Sequence, residues 1–208
     1  MASALIHMVV ANEVNKKLNK DNDQMLIGSI APDISKQIGE NKVRSHFLDS
    51  EGDLPNIDKF LNKYKNNLDD SFVMGYFIHL YTDYLWFKYF IPEICDKNVI
   101  TKLDGTKVKC TENMIIQYIY NDYSNLNSRL LDEYDMDLHI FYENIPKFQN
   151  IIEEIPMDKI QIIIDKVSII IQNSKERKDF VFDLESVKNF ISLCVELINA
   201  KIEEINKQ

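Results

Sequence analysis

Turn-forming residues are scarce in this chain. Five glycines and five prolines among 208 residues are too few for the tight turns of an all-β sandwich or barrel, and they leave long stretches free to be helical. The three cysteines, Cys95, Cys110 and Cys194, form no Cys-x-x-Cys pair and leave an odd count. A disulfide framework and a thiolate metal site are therefore set aside, and reduced thiols in or near the core are expected. Positive charge is also short: 24 Lys and Arg against 33 Asp and Glu give a formal charge of −9. Such a balance offers no basic stripe to a nucleic-acid backbone or an anionic bilayer, so stable nucleic-acid binding is not expected. No apolar run approaches the ~18 residues of a membrane span. The opening stretch MASALIHMVVANEVNKK has no basic start, and Glu13 interrupts its apolar run. It is not read as a secretory signal, and the expected location is cytoplasmic.

What is present is apolar and helical in spacing. Hydrophobic residues make up 45% and charged residues 27%, the balance of an ordinary globular protein. The length suits one all-α domain over residues 1–208. Leu5, Met8, Val9, Val14 and Leu18 give a first amphipathic helix over about 4–18. MLIGSIAPDI follows; its Gly28 and Pro32 read as an apolar loop, and Arg44–Phe47 as a loop or short turn. Further helices are expected over about 57–67, from 70 to about Phe90 where Pro92 ends the run, from 111–113 to about 134, over 157–173 and over 183–206. Residues 96–110, with Asp104-Gly105, read as a surface excursion or short hairpin. A short helix near Asp137–Glu143 carries His139.

The most informative stretch is SFVMGYFIHLYTDYLWF, Ser71–Phe87, almost wholly apolar and aromatic with Asp83 as its one charge. Gly75, His79 and Asp83 follow at intervals of four and so share one helix face. Burying an imidazole and a carboxylate together is costly unless each finds a strong partner, and a metal ion is one such partner. His7 likewise precedes the first charged residue, Glu13, and Asp33 is the one formal charge between Asp23 and Lys36. Taken singly, each has an ordinary explanation: a core pair, an interfacial histidine, an Asp that begins a turn. Taken together, one metal centre accounts for all the placements. Imidazoles and carboxylates without thiolates suit zinc or a similar divalent ion.

The order His7, GSIAPDI with Asp33, SHF with His46, and GYFIHLYTD with His79 and Asp83 resembles the bacterial zinc-dependent phospholipase C family. That family is related in fold to fungal zinc-dependent single-strand nucleases. The likeness runs over about residues 1–90. It implies that His46 and His79 hold one zinc ion, that His7 holds a second, and that Asp83 bridges the two. It implies further that Asp33 orients or deprotonates the attacking water and itself contacts metal. In secreted members the amino-terminal amine is also a ligand; removal of Met1 would leave such an amine on Ala2 near His7. The resemblance has a gap where three-ion members carry a further histidine, because this chain has Tyr89 there. His139 and Glu143 form a later His-x-x-x-Glu pair that either supplies a third site or is an exposed i,i+4 pair. Two ions per chain is the expectation. Two ions about 3.5–4 Å apart suit in-line displacement at phosphorus, on a small phosphoester or a lipid headgroup. The alternative is a non-catalytic helical metal-binding or interaction protein that retains part of the centre.

Overall fold

The computed structural model describes residues 1–143, 145–149, 151–173 and 179–207. The fold is all-α apart from one small antiparallel sheet. Helices α1 (Ala4–Leu18), α2 (Asn22–Ile30) and α5 (Ser71–Leu85) form its centre, with the short α3 (Ile34–Gln37) and α4 (Ile57–Tyr64) between α2 and α5. After α5 a π-helical turn (Trp86–Phe90) leads into α6 (Ile91–Ile94). Strands β1 (Cys95–Asp96), β2 (Val99–Thr101) and β3 (Lys107–Lys109) follow in the order β1-β2-β3, with Cys95 opposite Ile100 and Ile100 opposite Val108. Helices α7 (Glu112–Glu133), α8 (Gln161–Gln172) and α9 (Leu184–Asn206) complete the chain.

Local chemistry sets the starts of these helices. Ser3, Asp21, Asn56, Asp70, Thr111 and Asp183 each accept a backbone N–H of the first turn from a side-chain oxygen, satisfying a donor that the helix itself leaves free. Helix α5 is buried on nearly every side, which is why its sequence lacks a polar stripe, whereas α1 is buried up to Ala11 and then turns Glu13, Lys16 and Lys17 toward solvent.

Two expectations are corrected here. MLIGSIAPDI is not a loop: Met25–Ile30 are buried turns of α2, which runs on through a 3-10 turn (Ala31–Asp33) into α3. Gly28 serves contact rather than flexibility. A Cβ on Gly28 would stand 2.2 Å from the Phe72 carbonyl oxygen, and one on Gly75 would stand 2.2 Å from that of Met25. Helices α2 and α5 thus cross backbone to backbone, and the ~1 kcal/mol helix cost of each glycine is offset by that contact. Nor does Pro92 stop the helix. It sits in the first turn of α6, where its missing N–H costs little because first-turn donors have no intrahelical partner.

The second half closes over the first. The Asp122 carboxylate of α7 accepts the backbone N–H groups of Phe180, Val181 and Phe182 at 3.0, 2.7 and 3.2 Å. That pins the lead-in to α9 so that Phe182 and Phe190 pack edge-on to the buried Trp86.

Candidate metal centre

His7, Asp33, His46, His79 and Asp83 converge. Each is brought in by a separate piece of backbone. His7 lies one turn into α1, fixed by the Ser3 cap. Asp33 ends the 3-10 turn beyond α2. His46 rides on the turn 42–48, where its N–H bonds the Lys42 carbonyl at 2.8 Å. That turn is held by the Tyr76 hydroxyl, which donates to the Ser45 carbonyl, and by the Phe47 ring, packed edge-on to Phe60 and Tyr76. His79 and Asp83 come from the buried face of α5.

The ring tautomers follow from partners that can only accept. His79 Nδ1 lies 2.7 Å from the Ser29 carbonyl oxygen; a carbonyl has no proton, so Nδ1 donates and Nε2 keeps a lone pair. For His46 the same logic runs through two hydroxyls. Ser35 donates to the Pro32 carbonyl, Ser45 donates to Ser35 at 2.9 Å, and His46 Nδ1–H donates to Ser45 at 2.9 Å. The two Nε2 atoms then face each other at 3.3 Å. Two lone pairs at that distance repel unless a cation lies between them. Two ligand atoms on one tetrahedral zinc, each ~2.0–2.1 Å from it, are about 3.3 Å apart. The spacing fits.

Asp83 presents its two oxygens in opposite directions. Oδ2 is 3.8 Å from both His46 Nε2 and His79 Nε2. Oδ1 is 3.3 Å from His7 Nε2 and accepts the Ala2 backbone N–H at 2.9 Å. Asp33 Oδ1 adds a further oxygen 3.5 Å from His46 Nε2. Ligand atoms of His7, His79 and Asp83 form one compact group and those of Asp33, His46 and His79 another, each within 4.8 Å. Both nitrogens of the buried His7 lack a hydrogen bond, although its Nε2 stands at ion-pair distance from Asp83. Its ring stacks on His79 at 3.8 Å between centroids. Orphaned nitrogens at full burial cost roughly 1–3 kcal/mol each unless something fills the gap. This donor set, borderline nitrogens with hard carboxylates, is one that zinc fits.

Electrostatics point the same way. Burial, with His7 close by, pushes the His79 imidazole well below its usual pKa, so the ring is neutral as a ligand must be. Burial opposes ionisation of Asp83 and Asp33, but His7 beside Asp83 overcomes it, as do His46, 3.5 Å from Asp33, and the Lys42 amine, and both carboxyls are held below the usual range.

His139 and Glu143 belong to neither group. His139 Nε2 lies 3.0 Å from Asp23 and Nδ1 lies 2.8 Å from Asp137, so both ring nitrogens are taken by carboxylates, and Glu143 is exposed. Tyr89 also turns outward, 43% exposed. Trp86 is core, whereas Phe87 lines a cavity beside Asp83. Sequence reasoning passed over Ser29, Ser45 and Lys42. The Lys42 amine reaches Asp33 Oδ1 at 3.3 Å. Only Ser45, next to His46, left any sign.

Residues 2–200 match the family model described as zinc dependent phospholipase C. The chain belongs to that family, and the match extends the likeness from the first ninety residues to nearly the whole sequence. No curated protein and no solved structure shows significant similarity to it. Among the described residues no helix is long and apolar enough to cross a membrane.

Proposed function

We propose that this chain, as one domain in the cytoplasm, is a zinc-dependent phosphoesterase that hydrolyses a small phosphodiester or phosphomonoester, a lipid headgroup ester included. The carrying observation is the pair of opposed Nε2 lone pairs, 3.3 Å apart, beside a carboxylate that offers one oxygen to them and the other to His7. On this reading His46, His79, Asp33 and Asp83 would hold one zinc, and His7 with Asp83 would hold a second. Ala2 nitrogen, 2.9 Å from that oxygen, becomes a further ligand if Met1 is removed. Bound zinc lowers the pKa of water and offsets negative charge gathering on phosphorus.

The residues then divide the remaining work. Asp33 lines a cavity of ≈ 470 Å³ and, kept ionised, holds the attacking water and takes its proton. Ser29 and, through two hydroxyls, Pro32 fix the imidazole tautomers, so no ring has to turn during reaction. Lys42 holds Asp33 in place from the solvent side and adds a positive charge near the phosphoryl oxygens. The phosphorus–oxygen bond to the leaving group breaks as the new bond to the water oxygen forms, and the leaving oxygen departs with the electron pair and is protonated from solvent.

The test is elemental analysis followed by turnover. Zinc-loaded protein is expected to contain about two ions per chain and to hydrolyse an aryl phosphodiester. A broad phosphoester panel with no turnover, joined to a large loss of melting temperature on chelation, would assign the centre to stability instead.

A further inference from the structure

Two cavities flank the centre, and their charges differ. The first, ≈ 470 Å³, runs from Asp33 between α3, α7 and α8. Its charged side chains besides Asp33 are Lys36 and Lys166, and its walls include Tyr120, Ile163 and Val167. The second, ≈ 450 Å³, reaches His46 and Asp83 and carries Glu40, Glu51 and Asp53 against Lys36 and Lys42. In a chain of net charge −9, a cavity with two lysines facing one carboxylate stands out. Lys36 is held in position, its amine 2.7 Å from the Tyr120 hydroxyl and 5.1 Å from the centre of that ring. Among the described residues, neither Lys36 nor Lys166 is ion-paired with a carboxylate, whereas Lys42 is bound to Asp33.

We infer that the cavity beside Asp33 is a second-anion subsite: it takes an ester arm that is apolar along its length and carries a negative charge of its own, met by Lys36 and Lys166. This rests on the phosphoesterase reading of the centre. A phosphodiester has two arms, and the carboxylates of the second cavity, which shares Met1 and Lys36 with the first, repel an anionic one, so the balance of charge sets the direction in which such a substrate lies. Hydrogen bonds to charged groups are the strong ones, and both lysines stand at the exposed rim of the cavity, with Ile163 and Val167 buried below them. Preferred substrates are therefore phosphoesters with a second acidic group, in contrast to those with a neutral arm.

The test uses two readouts on zinc-loaded protein. Hexanesulfonate, an apolar anion and a poor zinc ligand, is titrated calorimetrically into wild type and into the Lys36→Gln/Lys166→Gln variant. Binding is expected to weaken about tenfold or more in the variant, with zinc content unchanged, and Lys36→Arg is expected to keep it. Equal binding by both proteins overturns the inference. The second readout compares KM for two aryl phosphodiesters, one with a neutral second arm and one ending in a carboxylate. The double variant should raise KM about tenfold for the second and less than about twofold for the first; an equal rise for both also overturns it. Weakened sulfonate binding in a protein with no turnover on either ester leaves the subsite standing and sinks the phosphoesterase reading.

Discussion

Two His-x-x-x-acid pairs lie sixty residues apart in this chain, His79–Asp83 and His139–Glu143, and the protein treats them differently. At His79 the ring is fully buried, a backbone carbonyl takes the Nδ1 proton, and the free Nε2 lone pair is aimed at His46 and Asp83. At His139 the ring is about one-third exposed, Glu143 is not its partner, and two aspartates hold its two nitrogens. One is built to be neutral and to donate electrons; the other is built to be charged and to donate protons. Spacing alone does not separate them. What separates them is whether an acceptor that cannot give back a proton sits behind the ring.

The sharpest way to break this contrast is to delete each ring. His79→Ala is expected to lose at least one zinc per chain by elemental analysis and essentially all turnover, whereas His139→Ala keeps zinc content and turnover near wild type. Equal losses would erase the distinction. Next in size is the backbone contact behind His79. Gly75→Ala drives a Cβ to 2.2 Å from the Met25 carbonyl and should cost about 1–3 kcal/mol or more of stability in a denaturant titration. It should also move the Ser29 carbonyl off His79 and weaken zinc binding. A wild-type midpoint would mean that the helices are not in contact there.

A smaller effect is expected behind His46. Ser45→Ala removes the acceptor of its Nδ1 proton and should weaken zinc binding about 10- to 100-fold, read by competition with a chelating dye; unchanged affinity would exclude the hydroxyl relay. The smallest concerns His139. The hydrogen bond to Asp137 raises its pKa despite some burial, and Asp23 adds to this. With the folded pKa above the unfolded value of about 6.5, the stabilising charge is fully present below that value and fades as pH rises through the folded pKa. The melting-temperature difference between wild type and His139→Gln should thus be greater near pH ~5.5 than near pH ~8.5. A gap that widens with pH would reverse the assignment.

The convergence of the candidate site's residues was largely legible in the sequence because they are the ones that do not belong where they stand. His7, Asp33, His79 and Asp83 are lone ionisable groups in apolar segments, and such groups must meet something inside. His46 was legible only through the family pattern, since its neighbours Arg44 and Asp49 give it an ordinary polar setting. The helical elements are also readable, except where a residue does not play its commonest role. Gly28 and Pro32 read as breakers, yet one is a contact surface and the other starts a 3-10 turn. His139 shows the converse limit, because Asp23 lies 116 residues away and no local pattern announces it. Of the supports behind the imidazoles, the two main-chain carbonyls leave no trace in residue type, and only the Ser45 hydroxyl, next to His46, shows.

The glycine seam between α2 and α5 also bears on how the chain can vary. Gly28 and Gly75 each make room for the other helix's main chain, so enlarging either one wedges the same joint apart. The two positions are thus tied as a pair even though neither touches a ligand atom. Any drift at the seam displaces the Ser29 oxygen that orients His79, so tolerance to substitution here should follow the tolerance of the chemistry more closely than that of the surrounding core.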